Sequence, residues 1–347
     1  MHRRTLLQGL FATLLVGSRG FSQTASDPKN PTHHTLAAAY SARYRGISLL
    51  IMVDGQVVFE DYPNRGRPSL AHELASGTKS FCGVLAAAAQ LDGLLSLDEP
   101  VAKTLGEWEH DPLRRQITIR QLLNLTSGLP GGRLGRPATY AEAIQTPIEA
   151  PPGTRFSYGP IPFQIFGEVL RRKLGGDPLA YLQRRIFQPI GLEYAFWRRG
   201  PDGHPHLSSG AFLTARNWAR FGELVRQEGR WQGQPVVETG LLEQCFVPSA
   251  VNPIYGLTWW LARPLDPAQR DAIGPTGRTI EPLAQTLGLP DDLVLAAGAG
   301  DQRLYISRKL GLVVVRQAEG IVDALLGQRS GFSDAIFLRL LLSGQGG

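Results

Sequence analysis

The strand-like segments of this chain sit at its two ends, and that placement restricts the fold more than any other feature. Residues 47–62, ISLLIMVDGQVVFEDY, are two β-type runs around Asp54-Gly55, a dipeptide that suits a tight hairpin because both positions tolerate a positive φ. The first run is nearly all apolar, which predicts a strand covered on both faces. Far downstream, RLYIS and LGLVVVRQ flank Arg308-Lys309 and predict a second hairpin.

Between the two hairpins the apolar period changes to that of a helix. Phe81, Val84, Leu85, Ala88 and Leu91 recur at three- and four-residue spacing, and Gly93 supplies a stop. Helical patterns follow over 163–174, 178–187 and 214–228, with a closing helix over 333–342. Residues 117–132 read as a short helix and a glycine-rich loop. PPGTRFSYGPIP, residues 151–162, holds too much proline and glycine for regular structure. Residues 28–34 read as a polar lead-in. The predicted fold class is α/β (α+β): an antiparallel sheet built from N- and C-terminal strands and flanked by helices, with a mostly helical lobe inserted. The sheet lobe is expected over about 36–75 and 250–347, and the helical lobe over about 76–249, within one catalytic domain from residue 23.

The head of the first long helical pattern reads ELASGTKSF and places Ser76 three residues before Lys79. At that spacing two helical side chains are neighbours, about 5–6 Å apart at Cβ. A lysine whose pKa is lowered by burial or by nearby positive charge can take a proton from serine. A serine at a helix start also presents an unpaired backbone N–H, a natural oxyanion donor. The same two residues are equally what a polar cap on a buried helix looks like.

Downstream blocks separate the two readings. ELASGTKSF, GLLSLDEPV, ITIRQLLNLTSGL, PPGTRFSYGP, SGAFLTARNWARFGELVRQEGRWQGQPVV and YGLTWW stand in one order along the chain. In that order they resemble the serine β-lactamase and penicillin-binding-protein superfamily, in the branch with class C β-lactamases, esterases and 6-aminohexanoate-dimer hydrolases. The resemblance implies a nucleophile at Ser76, a proton acceptor at Lys79, and a tyrosine at Tyr158 that shares their proton network and protonates the leaving group. It also implies that LAAGAGDQ, residues 295–302, is the third motif. Gly298 and Gly300 would then let substrate approach the backbone, and the Ala299 N–H would form the oxyanion hole with that of Ser76. Gln302 and Trp259 are the further candidate substrate contacts. Trp259 and Trp260 are adjacent on a strand and so face opposite sides, one for the pocket and one for the core.

Two positions depart from the family pattern. The asparagine of Y-x-N is Pro160, which has neither a side-chain donor nor an N–H. The lysine or histidine that opens the third motif is Ala296, so the cation that helps hold a substrate carboxylate is missing, with Arg303 as the nearby substitute. Asp301 stands where the esterase branch has glycine. The expectation is a serine hydrolase that cleaves an ester or amide through an acyl-Ser76 intermediate. The alternatives are a silent homologue that binds cell-wall peptides or a partner, and a true β-lactamase or D,D-carboxypeptidase. No G-x-S-x-G occurs, which argues against a Ser-His-Asp hydrolase.

Other functions find little in the sequence. The net charge of +6 comes from scattered arginines with no basic run interleaved with aromatics, so no nucleic-acid partner is expected. Cys82 and Cys245 are too few and too far apart for a metal box or disulfide framework, and no cofactor motif is present. His204 and His206 form an incomplete metal set in a loop, with His206 a weak candidate for touching substrate. Arg3-Arg4 before a short apolar run reads as a twin-arginine-like export signal over residues 1–22, with a periplasmic or secreted destination. No later stretch is long enough to span a bilayer. The expected partner is a small-molecule ester or amide, or a peptide, and the sequence leaves the oligomeric state open.

Overall fold

The computed structural model describes residues 26–272 and 289–345. The export signal expected over residues 1–22 lies outside the described residues. A six-stranded sheet is made of β1 (Gly46–Val53), β2 (Gln56–Asp61), β3 (Trp260–Leu261), β4 (Val294–Gly298), β5 (Gln302–Ser307) and β6 (Leu312–Ala318). Its order is β2-β1-β6-β5-β4-β3, and every neighbouring pair is antiparallel. The two hairpins therefore meet edge to edge: Leu50 pairs with Val315 and Val53 with Leu312. Every residue of β1 is buried, as its unbroken apolar run requires.

The longer helices among the described residues are α1 (Pro31–Arg43), α2 (Ser80–Leu91), α3 (Ile161–Leu174), α4 (Ala215–Arg226) and α5 (Asp334–Ser343), of which α1 and α4 pack on the sheet and α3 packs on other helices. Helix α2 is buried along almost its whole length, and its run of alanines lets neighbouring chain approach closely. A Cβ on Gly83 would lie 2.6 Å from the Leu257 carbonyl. Thr214 caps α4 and Ser333 caps α5, each side chain accepting from a backbone N–H in the first turn.

Two sequence expectations need correction. The lead-in at 28–34 is already helical from Pro31, because Asn30 caps the first turn through its side chain and Pro31 is preset for the first helical position. Helix α4, expected in the inserted lobe, lies instead on the sheet. A Cβ on Gly222 would meet Val313 at 2.6 Å and Leu304 at 2.8 Å, so the glycine sets how closely helix and strands pack. No helix among the described residues is long and apolar enough to cross a membrane.

Candidate active site

The turn that carries Ser76 is tied at both ends. The Leu74 N–H donates to the Ala211 carbonyl at 2.9 Å, and Gly77 N–H donates back to the Leu74 carbonyl at 2.9 Å. Ala75 turns the corner with φ of 46°, a left-handed conformation that costs a non-glycine residue about 1–3 kcal/mol. Ala75–Lys79 is a 3₁₀ turn, and α2 proper begins at Ser80. In a 3₁₀ turn residues three apart eclipse one another, so Ser76 and Lys79 are aligned more closely than on an α-helix.

Lys79 Nζ lies 2.9 Å from Ser76 Oγ and 3.0 Å from the Ser208 carbonyl oxygen. The rings of Tyr158 and Phe163 cover it, with centroids 5.0 and 5.4 Å from Nζ. The side chain is only 2% exposed. Burial with no carboxylate partner brings its pKa down to about 7. The amine is therefore available unprotonated near neutrality, which is what accepting the serine proton demands.

Tyr158 sits in the loop before α3 and lines the same cavity as Ser76, with its phenol close enough to interact with that hydroxyl. Burial pushes its phenol up to about 12, against the opposing effects of the Ser76 hydroxyl and the Arg303 charge. The phenol thus keeps its proton at neutral pH and can donate it. Its ring stacks on Trp260 at 5.6 Å and meets the edge of Tyr255 at 6.2 Å. Backbone holds backbone here: a Cβ on Gly159 would lie 2.1 Å from the Gly131 carbonyl oxygen. Pro160 opens α3, and the carbonyl of Gly131 takes the Ile161 N–H at 3.0 Å. The Ser208 carbonyl thus accepts a hydrogen bond from Lys79 where Pro160 offers no side chain. Sequence reasoning missed Ser208, because a backbone acceptor leaves no mark on residue type.

The end of β4 closes the site. A Cβ on Gly298 would lie 2.1 Å from the Leu74 carbonyl and 3.2 Å from Gly77 N, so glycine alone lets the strand reach the Ser76 turn. Gly298, Ala299 and Gly300 line one cavity together with Ser76, Tyr158 and Trp260. The Ala299 N–H has no hydrogen-bond partner among the described residues. Ala296 is buried away from the cavity, whereas Ala297 lines it.

Three candidates are displaced. Trp259 is fully buried against Phe221 and Phe246, and Trp260 is the tryptophan on the cavity wall. The two rings do oppose one another, but with the assignment reversed. Gln302 is fully buried, and its amide is spent on the Gly300 and Ala318 carbonyls and the Ala318 N–H. His206 is buried outside the cavity lining, with its pKa lowered chiefly by burial. Cys82 is a buried thiol whose pKa burial raises far above its ordinary value. Among the described residues no group of three or more His, Cys, Asp or Glu could hold a metal.

The cavity measures about 800 Å³, within the range of small-molecule sites. Its charged walls are mostly paired. Arg303 is bound to Asp334 at 2.7 Å, Arg198 to Glu73 at 2.9 Å and Arg45 to Asp323 at 2.5 Å. Arg303 therefore has no free edge for a substrate carboxylate. Apolar groups, Leu134, Leu325 and Phe332, complete the rim.

The family model described as Beta-lactamase matches residues 33–317. The chain belongs to the beta-lactamase family. Two curated relatives match parts of this family member. Protein flp of Staphylococcus aureus (strain MRSA252) is 23% identical over 185 residues, 48% of this chain and 37% of that protein. The lovastatin esterase of Penicillium rubens is 29% identical over 150 residues, 34% of this chain and 37% of that protein. The matches thus span little more than a third of either relative. Among solved structures, EstCE1, a hydrolase with promiscuous acyltransferase activity, superposes with a TM-score of 0.65 at 15% identity, covering 90% of this chain and 97% of that one. Family and neighbours together make this a hydrolase fold.

Proposed function

We propose that this beta-lactamase family member is a serine hydrolase that cleaves neutral esters or amides through an acyl-Ser76 intermediate. The observation that carries the reading is the 2.9 Å contact between Ser76 Oγ and a buried Lys79 whose pKa is about 7. The unprotonated amine takes the Ser76 proton as Oγ attacks the substrate carbonyl carbon. The developing oxyanion lies between the N–H groups of Ser76 and Ala299. Tyr158, protonated at neutral pH, donates to the departing alcohol or amine and is reprotonated by the Lys79 ammonium, which holds the proton taken from Ser76. Water then attacks the acyl-enzyme by the reverse of these steps.

The choice of neutral substrates rests on Arg45 and Arg303, which are paired, whereas the exposed Arg329 of the cavity lining has no ion pair among the described residues. A penicillin or a D-Ala-D-Ala terminus needs a cation for its carboxylate. Ala296 supplies none, and the guanidinium of Arg303 is engaged by Asp334. A fluorophosphonate probe is expected to label Ser76, and p-nitrophenyl esters to turn over faster than nitrocefin. Absence of an adduct at Ser76, with Ser76→Ala hydrolysing esters as well as wild type, refutes the reading.

A further inference from the structure

Four successive carbonyls of the turn after β4 are held from beneath by buried side chains. Arg303 Nη1 donates to the Gly298 carbonyl at 3.1 Å. Gln302 Nε2 donates to the Gly300 carbonyl at 2.9 Å and, more distantly, to that of Ala299 at 3.4 Å. Arg316 Nη1 donates to the Asp301 carbonyl at 2.8 Å. The three side chains are 5% exposed or less. Gly300 takes its φ of 69° freely, whereas Asp301 at φ of 60° holds a conformation that is costly for a non-glycine residue.

The first of these bonds acts on the oxyanion hole directly. The Gly298 carbonyl and the Ala299 N–H belong to one peptide unit. That unit is planar and trans, so its C=O and N–H point in opposite directions. Drawing the carbonyl back toward Arg303 turns the N–H the other way. Arg303 is itself clamped by Asp334 through two bonds, Nε to Oδ1 at 2.7 Å and Nη2 to Oδ2 at 3.1 Å. Asp334 is the first residue of α5, and it also accepts the Tyr305 hydroxyl.

We infer that Arg303, held by Asp334, is a positioning residue that sets the direction of the Ala299 N–H toward the reacting carbonyl oxygen. The inference rests on the acyl-Ser76 reading above. It gives a function to the arginine that the sequence offered as a carboxylate anchor, and it makes the closing helix part of the catalytic apparatus. The Gln302 and Arg316 bonds keep the following peptides from rotating.

The test compares Arg303→Lys with wild type on p-nitrophenyl acetate. The ammonium stays beside Asp334 but cannot span both the carboxylate and the Gly298 carbonyl. A small misdirection of an oxyanion donor is expected to lower kcat about ten- to hundredfold. KM stays within about threefold, because the donor acts mainly in the transition state. The inhibition constant of phenylboronic acid, whose adduct mimics the oxyanion, weakens by the factor that kcat loses. The acid limb of the pH–rate profile stays near its wild-type position, because Lys79 is untouched. The paired variant Arg303→Gln/Asp334→Asn removes both buried charges together and is the second arm should Arg303→Lys not fold. A folded variant with kcat within about threefold of wild type overturns the proposal, as does a rise in KM alone, the signature of lost uniform binding. A crystal structure of the wild-type boronate adduct gives a third readout. A boron oxygen bonded to Ala299 N supports the proposal, and ligand bonded to Arg303 overturns it. Ser76→Ala separates the two levels: if that variant is fully active both readings fall, and if it is inactive while the Arg303 variants retain kcat only the positioning falls.

Discussion

Replacing Lys79 by methionine should abolish turnover and stabilise the protein below neutral pH. The unfolded lysine titrates near 10.5 and the native one near 7. Between those values the unfolded chain binds more protons than the native one, so stability rises with pH. Below pH 7 both states are protonated, and the native state bears the full cost of a buried ammonium, about 5 kcal/mol at 1.36 kcal/mol per tenfold change in proton affinity. Above 10.5 both states are neutral and the cost is gone. Methionine fills a similar volume but forfeits the bonds to Ser76 and Ser208, about 1 kcal/mol each, and leaves the Ser208 carbonyl unpaired at a further cost of about 1 kcal/mol or more. Near pH 6 the variant should therefore be more stable by about 1–2 kcal/mol. Near pH 9 the lysine's cost has fallen by about 3 kcal/mol, which reverses the order. Urea unfolding of both proteins at the two pH values, followed by tryptophan fluorescence, gives the difference directly. If that difference is the same at both pH values to within about 1 kcal/mol, Lys79 has an ordinary pKa, and its assignment as the base fails with it.

Ester hydrolysis by the wild type should rise through an acid limb near pH 7, set by Lys79, with Tyr158 remaining protonated until about 12; a limb near pH 5 would point to a carboxylate base instead. Gly298→Ala forces a Cβ to within 2.1 Å of the Leu74 carbonyl, so it should part β4 from the nucleophile turn and lower kcat at least about a hundredfold, read by steady-state kinetics on folded protein. The two tryptophans should separate cleanly: Trp259→Ala costs about 3–5 kcal/mol of stability in urea unfolding, whereas Trp260→Ala acts chiefly on KM by removing the cavity wall behind Tyr158.

The parts of the molecule that were legible in the sequence are those written in residue type. The two hairpins, the buried first strand, helices α2 to α5 and the Ser76–Lys79 pair announce themselves through periodicity, turn residues or spacing. The parts that were not legible depend on backbone or on tertiary partners. The Ser208 carbonyl that holds Lys79 could belong to any residue. Helix α1 hides because its alanines make only a faint apolar stripe, while its start is marked by Asn30 and Pro31, which also serve in loops. Period-two alternation separates Trp259 from Trp260, but it does not say which side of the strand faces the cavity. Gln302 and Arg303 beside a glycine-rich motif look like ligand contacts; only the folded structure shows their donors turned inward onto carbonyls and Asp334.

The union of β1 with β6 also bears on how the protein is made. Residues near 50 have no interior sheet neighbour until residues near 315 exist. The first hairpin therefore leaves the ribosome with an apolar strand, and its pairing edge stays open through the synthesis of almost the whole chain. Contacts this distant in sequence close slowly. The vulnerable period of this protein is its biogenesis, and a chain cut just before β6 would expose β1 as an unpaired strand prone to self-association.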